Sequence, residues 1–182
     1  MVLWSEVDKN LIEITPGLKD KSRFRYQGGP FRFQIPRAWS NWGVSAYKSM
    51  NVDIRNAEFA AWWRALETHL CSQEPFNSNL KEGSLRLKVD DAVYVFDENA
   101  KQVCPEVREG LFRAQEVQCI IDVDSTYFFN GNWGLTIRIY QIKTLGPSAD
   151  APPSSGETVA RYEPPAAGGL KQGVCAFLPS DD

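Results

Sequence analysis

One long segment in the second half of the chain constrains the fold more than any other. The sequence VQCIIDVDSTYFFNGNWGLTIRIYQIK, residues 117–143, consists of two strand-like runs joined at Asn130-Gly131. Asn-Gly suits the two positive-φ positions of a type I′ turn, which is a tight connection between antiparallel strands. The chain is therefore predicted to contain a long β-hairpin, and the hairpin favours an antiparallel β fold.

Shorter strands precede the hairpin, and several alternate between apolar and polar residues, as half-buried strands do. Their predicted ranges are 11–15, 22–27, 30–36, 84–89 and 92–96. The apolar faces carry Phe24 with Tyr26, Phe31 with Phe33 and Ile35, and Leu85 with Leu87 and Val89. The opposite faces carry Arg23, Arg25, Arg32, Gln34, Arg86 and Lys88.

One helix is predicted over residues 56–71. Its apolar residues recur at spacings of four, three and four, which places them on one face; they are Phe59, Trp63, Leu66 and Leu70. Asn56 is a suitable N-cap, and Pro75 prevents much continuation. The order of three strands, one helix and four strands predicts a mainly β protein, most simply a small antiparallel barrel or sandwich with one inserted helix.

The composition changes after Gly146, where a stretch rich in Pro, Gly, Ser and Ala begins. We interpret residues 1–146 as a globular domain and 147–182 as a disordered linker with an acidic tail. Residues 1–146 carry 18 bases and 18 acids, whereas 147–182 carry 2 bases and 5 acids. The net charge of −3 therefore belongs to the tail.

Several classes of protein are disfavoured by the sequence. No apolar run is long enough for a membrane helix, and the N-terminus does not resemble a secretory signal. Four scattered cysteines and one histidine, His69, do not form a zinc motif. We expect reduced thiols, an intracellular location, no metal, no cofactor and no enzymatic activity.

Bases and aromatic rings gather in residues 19–48, which contain seven Lys or Arg and one acid. A basic groove can follow a phosphate chain, and rings can stack on exposed bases, so this pairing is typical of single-stranded nucleic-acid binding. Arg86 and Lys88 extend the predicted basic face, and rings near the hairpin tip add an aromatic edge. The predicted nucleic-acid-binding residues are Lys21, Arg23, Arg25, Arg32, Arg37, Trp39, Trp42, Tyr47, Lys48, Arg86, Lys88, Tyr127 and Trp133.

Two other hypotheses stay open beside nucleic-acid binding. Trp39, Trp42 and Tyr47 are also suited to a protein interface, which would make the chain a structural or scaffold component of a virion. A third hypothesis is a metal-dependent nuclease that uses Asp122 and Asp124. A solvated sheet face is the simpler explanation of these two acids.

The order of these features resembles the phage T-seven type of single-stranded DNA-binding protein, in the version carried by nucleocytoplasmic large DNA viruses. The resemblance rests on FRFQIPRAWSNWGVSAYK (31–48), FAAWWRALETHL (59–70), LRLKVDD (85–91), GNWGLTIRIYQIK (131–143) and the acidic end. It implies an OB-fold barrel with an inserted helix. It also implies binding of single-stranded DNA in viral replication, recombination and repair, without catalysis.

The resemblance also gives the tail an expected role. In such proteins the acidic tail contacts replication enzymes and competes with DNA. Here the corresponding partner-binding residues would be Phe177, Asp181 and Asp182. The chain departs from the phage pattern because its tail holds few acids. A homodimer is a further expectation, and a viral protein would act in the host nucleus or at a cytoplasmic replication site.

Overall fold

The long hairpin organises the fold. The computed structural model describes residues 1–146 and 173–179. Within these ranges lie one α-helix, α1 (Ala57–Leu70), and twelve strands. The strands are β1 (Ile12–Pro16), β2 (Ser22–Tyr26), β3 (Gly29–Pro30), β4 (Arg32–Gln34), β5 (Ala38–Ser40), β6 (Ser49–Asp53), β7 (Leu80–Lys81), β8 (Ser84–Lys88), β9 (Tyr94–Phe96), β10 (Gln102–Val103), β11 (Gln115–Phe129) and β12 (Asn132–Thr144).

Strands β5, β6, β8, β12 and β11 close into a barrel. β5 pairs with β6, β6 pairs with β8, and β11 pairs with both β12 and β5, all antiparallel. The ring is completed by one parallel contact between β8 and β12, at Lys88 and Arg138. β4 and β2 pair with β11 further along its length. The predicted OB-fold-like barrel with one inserted helix is confirmed.

The hairpin turn has the predicted conformation. Asn130 and Gly131 have φ of 49° and 78°, as a type I′ turn requires at both central positions. β11 and β12 then pair from Phe129 and Asn132 onward, with register shifts near Ile120 and Val123. Such bulges increase the local twist, which lets one hairpin serve both the barrel and the outer strands.

Alternation along the strands selects the core. Phe31, Phe33 and Ile35 are buried, and so are Leu85 and Leu87. On α1 the predicted stripe is also buried, comprising Phe59, Trp63, Leu66 and Leu70. The Asn56 side chain accepts a hydrogen bond from the Phe59 amide at 2.8 Å, as an N-cap does. The predicted helix is confirmed.

Residues 37–53 depart from the sequence prediction, which places no strand between residue 36 and the helix. They contain two strands, β5 and β6, that sequence patterning missed. In β5, Ala38 and Ser40 are buried while Trp39 between them lies partly outside. Small residues face inward and the large ring faces outward, which reverses the usual hydrophobic pattern of a strand.

The predicted linker and tail fall mostly outside the described residues. Residues 147–172 and 180–182, including Asp181 and Asp182, are not described. Residues 173–179 lie against the barrel, where the ring of Phe177 meets that of Phe96 with centroids 6.2 Å apart. Gln34 was predicted to face outward. It does leave the barrel interior, yet it is fully buried because this segment covers it.

Within residues 1–146 and 173–179, no helix is long and apolar enough to cross a membrane. The four cysteines are free thiols. Cys71 and Cys119 are buried, and Cys104 is exposed. Burial raises the pKa of the Cys119 thiol, so this side chain is a neutral core residue.

Candidate nucleic-acid interface

A cleft of about 900 Å³ runs between the outer face of β6 and β8 and the tip of the β11–β12 hairpin. It brings together residues from three separate parts of the sequence. The lining residues are Tyr47, Ser49, Asn51, Asn77, Ser78, Asn79, Lys81, Ser84, Arg86, Leu87, Lys88, Tyr127, Phe129, Asn130, Asn132, Leu135, Thr136 and Ile137.

The basic side of the cleft follows from strand alternation. Leu85 and Leu87 face the core, so Arg86 and Lys88 face outward. The antiparallel register sets Lys88 beside Ser49 and Arg86 beside Asn51. The Arg86 guanidinium lies 3.4 Å from the Ser49 hydroxyl. These pairs place cations and small polar groups together on one open surface.

The aromatic side comes from the hairpin. Tyr127 and Phe129 are two residues apart and share one face of β11, and both line the cleft. The Tyr127 ring lies against Gly134 on β12, where an added Cβ would be 2.6 Å from the ring carbon Cζ. Any larger residue at this position would displace the ring. Phe129 is 67% exposed.

The loop 41–48 supplies a third ring at the cleft. Tyr47 is 86% exposed and lines the same surface as Arg86 and Tyr127. Its neighbour Lys48 forms an exposed ion pair of 2.5 Å with Asp91. Tyr47 is therefore free to receive a ring from a ligand, whereas part of the Lys48 charge is compensated.

The electrostatics of the cleft are one-sided. Among the residues that the structure describes, its lining includes Lys81, Arg86 and Lys88 and no carboxylate. Since the domain as a whole has equal numbers of bases and acids, this separation of charge is local. Three cations beside three rings can bind a phosphate chain and stack on its bases.

Four other predicted basic residues lie outside the cleft. Arg23 and Arg25 are exposed on β2. In the strand register, Arg25 lies opposite Glu13 of β1. Lys21 precedes that strand and is exposed. Arg37, also exposed, lies between β4 and β5. None of the four lines the cleft.

Arg32 is held by an acid and a ring. Its Nε and Nη2 atoms donate to both Asp122 oxygens at 2.5 and 2.8 Å, and its guanidinium stacks on Tyr140. Partial burial lowers the pKa of Arg32, but the Asp122 pairing raises it, and the net direction is upward. Arg32 is thus a charged group whose charge is already paired.

The predicted tryptophans take three different environments. Trp42 is 74% exposed, with the Arg113 guanidinium 5.8 Å from its ring centroid. Trp39 is partly buried, and its Nε1 donates to Asn41 at 2.7 Å. Trp133 packs on Phe128, with centroids 5.1 Å apart. None of these three tryptophans lines the cleft.

The surroundings of Asp122 and Asp124 account for both acids as parts of the sheet. Asp122 pairs with Arg32, and Asp124 falls in the bulge between Val123 and Ser125. In the described part of the chain, no group of three or more His, Cys, Asp or Glu residues could hold a metal ion.

Sequence reasoning missed part of the cleft. Phe129 was detectable, because it follows Tyr127 by two residues beside a turn. Lys81, Asn77 and Asn79 carry no local signal, since they lie in or before a two-residue strand. Their approach to the hairpin depends on the closed barrel.

Together these features define a class of protein and a site. The cleft lies on the second and third barrel strands, β6 and β8, between the loop 41–48 and the hairpin turn. In OB-folds this face and these two loops bind oligonucleotides and oligosaccharides. The chain is an OB-fold-like barrel with a basic, ring-lined cleft in that position.

No family model matches the chain, and no curated protein sequence matches it. Among solved structures it is similar to a C-terminally truncated single-stranded DNA-binding protein from bacteriophage Enc34, with a TM-score of 0.48, 8% identity and coverage of 75% of this chain and 96% of the other. The same phage protein in complex with single-stranded DNA gives 0.46, 8%, 75% and 97%. The single-stranded DNA-binding protein gp2.5 of bacteriophage T7 gives 0.42, 10%, 70% and 98%. These likenesses are too distant to assign the chain to a family.

Proposed function

We propose that this protein binds single-stranded DNA in the cleft between β6, β8 and the hairpin tip. The observation that carries the proposal is the lining of that cleft, to which the described part of the chain contributes three cations, three rings and no carboxylate. A phosphate chain is attracted by the cations, and unpaired bases stack on the rings at about 1–3 kcal/mol per base. Neither interaction depends on base identity, so we expect little sequence preference.

The rings favour a single strand over a duplex. Tyr47 and Phe129 project from the barrel with most of their surface exposed. Bases of a duplex are already stacked and paired, so they cannot use these rings without unwinding. A single strand offers free base faces and therefore gains more from the cleft.

The biological setting that we propose follows from the sequence resemblance. The protein would act in viral DNA replication, recombination and repair as a binding protein without catalysis. A virus of the nucleocytoplasmic large DNA group would be its source, and replication proteins would be its partners. It would then work inside the cell, at the site where the viral genome is copied.

Binding of fluorescent oligo-dT, followed by anisotropy, tests the proposal. We expect saturable binding of the single strand and much weaker binding of a duplex of equal length. The slope of log affinity against log salt is about −0.7 per neutralised phosphate. Lys81, Arg86 and Lys88 alone would give about −2. Equal affinity for the duplex, or binding without salt dependence, would contradict the proposal.

One observation favours a second candidate function. Trp42 is exposed outside the cleft beside Arg113, and Trp and Arg are enriched at the centres of protein interfaces. This patch would serve a structural protein whose loop contacts another protein. Trp42→Ala would then leave oligo-dT affinity unchanged and weaken protein association that persists at high salt.

A further inference from the structure

The outer face of the barrel carries a second surface, partly apolar and partly polar, whose residues do not line the cleft. Phe96 and Ile120 are fully buried, yet they are not part of the continuous barrel core. Ile120 on β11 is paired in register with Gln34 on β4 and with Gln141 on β12. Paired residues share a face, so an isoleucine lies between two glutamines on the outside of the barrel.

Residues 173–179 cover this surface, and they are held there through their backbone. Gln34 accepts from the Leu178 amide at 2.8 Å and donates to the Leu178 carbonyl at 3.0 Å. Gln141 donates to the Val174 carbonyl at 2.9 Å and accepts from the Ala176 amide at 3.1 Å. Gln102 accepts from the Gly173 amide at 2.7 Å.

The covered surface also constrains the residue type at two positions of the segment. A Cβ at Gly173 would overlap the Tyr94 ring, so this position requires glycine. Phe177 meets Phe96 edge to face. Val174, by contrast, is 84% exposed. Recognition thus combines an extended backbone with one glycine and one aromatic ring.

We propose that Gln34, Gln102 and Gln141, with Tyr94, Phe96 and Ile120, form a peptide-binding site whose ligand is an extended segment of the pattern found at 173–179. Gln34 and Gln141 use both the oxygen and the nitrogen of their amides, as a neighbouring β-strand would. None of these six residues lines the cleft, so the site is separate from the proposed nucleic-acid interface.

The chain itself provides the occupant. Residues 147–172 separate the segment from the end of the barrel, and 26 residues span at most about 90 Å when extended. Because the segment is covalently linked to the barrel, its docking is an intramolecular event. The same peptide supplied in trans must therefore compete with it.

The test uses the full-length chain with Phe177→Ala, which weakens the native occupant, and a fluorescein-labelled peptide Gly-Val-Cys-Ala-Phe-Leu-Pro under reducing conditions. We expect saturable binding by anisotropy, at least tenfold tighter than to the wild-type chain. A peptide with Ala in place of Phe should lose binding, whereas a peptide with Ala in place of Val is the matched control and should retain it. The absence of saturable binding, or equal binding of the Phe-lacking peptide, would overturn the proposal.

Two further measurements address the protein side. Gln34→Ala in the Phe177→Ala chain should abolish peptide binding, and Gln73→Ala, an exposed position, should not. In the wild-type chain, hydrogen exchange should show protected amides at Ala176 and Leu178. Unprotected amides there would contradict the docking. Saturating oligo-dT should leave the labelled peptide bound, and its displacement would show that the two sites are not separate.

Discussion

At the scale of single residues, the contact between Tyr127 and Gly134 determines how one ring meets the cleft. The ring occupies the space in which a side chain at residue 134 would lie. Its orientation therefore depends on the lack of a side chain on the neighbouring strand as much as on the tyrosine itself.

This contact leads to the first prediction. Tyr127→Ala should weaken oligo-dT binding by about 1–3 kcal/mol, the range for loss of one stacked base. Gly134→Ala should weaken it as well, because the ring must move. Phe128→Ala is the control, since Phe128 packs on Trp133 outside the cleft. Anisotropy titrations, with circular dichroism to verify folding, measure both effects. Unchanged affinity for Tyr127→Ala would show that the ring does not stack.

The second prediction concerns the cations of β8. Arg86→Ala and Lys88→Ala should each lower oligo-dT affinity and also reduce the salt slope by about 0.7 if each side chain neutralises one phosphate. Arg64→Ala, on the exposed face of α1, removes the same charge far from the cleft and should alter neither quantity. The slopes are measured from titrations across a range of salt concentrations. A slope that stays constant in both β8 variants would remove these residues from the interface.

At the scale of secondary-structure elements, the helix α1 contributes to the core and supports one part of the cleft lining. α1 contributes Phe59 and Trp63 to an aromatic cluster with Phe33 and Trp4. Neither these residues nor any other from α1 lines the cleft. The helix nevertheless reaches the cleft indirectly, because the buried Glu67 carboxylate accepts hydrogen bonds from the Ser78 hydroxyl at 2.7 Å and the Asn79 amide at 2.9 Å, and both of these residues line the cleft.

The third prediction concerns Trp63, whose ring packs on Phe33 and Phe59 and does not line the cleft. Trp63→Ala should lower the free energy of unfolding by about 3–5 kcal/mol, as large-to-small changes of buried aromatics do. Oligo-dT affinity per folded molecule should stay unchanged. Denaturant unfolding measures the free energy of unfolding. Titration with oligo-dT, corrected for the folded fraction, measures the affinity. A loss of affinity in the folded fraction would mean that α1 supports the cleft directly.

At the scale of the whole molecule, charge is divided between a neutral barrel and an acidic end. All of the net −3 lies after Gly146. The segment 173–179 contacts the outer face of β4, β9 and β12, away from the cleft. Competition with DNA by the terminal acids stays a prediction, since Asp181 and Asp182 lie outside the described residues.

The fourth prediction tests that competition. Replacing Asp181 and Asp182 with Asn should raise oligo-dT affinity modestly at low salt, because exposed charges interact weakly. The gain should shrink as salt rises, since screening weakens the same contacts. Substituting Asn for Asp8, which caps the exposed turn at Lys9–Leu11, removes a distant acid for comparison. Equal affinity of the double variant and the wild type at low salt would rule out competition.

Some secondary-structure elements could be predicted from the sequence alone, and others could not. Strands with large inward and basic outward residues, such as β8, were predictable, because alternation records burial directly. The helix and the Asn130-Gly131 turn were predictable for the same kind of local reason. β5 was not, because its buried residues are small and its ring lies outside.

The residues of the site also divide into those that the sequence predicted and those whose contacts only the fold determines. Arg86, Lys88, Tyr47 and Tyr127 were predicted, and the barrel brings them to one cleft. Arg32 was predicted from its outward face, but its pairing with Asp122 depends on β4 lying beside β11. No local pattern reports which strand lies next to another.

By itself, then, the sequence determined the β-rich class, the helix, the hairpin turn, and the inward or outward facing of most strand residues. All of these depend on contacts between residues close in the chain. The tertiary structure decided which bases and rings share a cleft, that Arg32 is paired, and that Gln34 and Gln141 bind the segment 173–179. The physical reason is that these contacts join residues brought together only by barrel closure, such as Gln34 and Leu178, which are 144 positions apart.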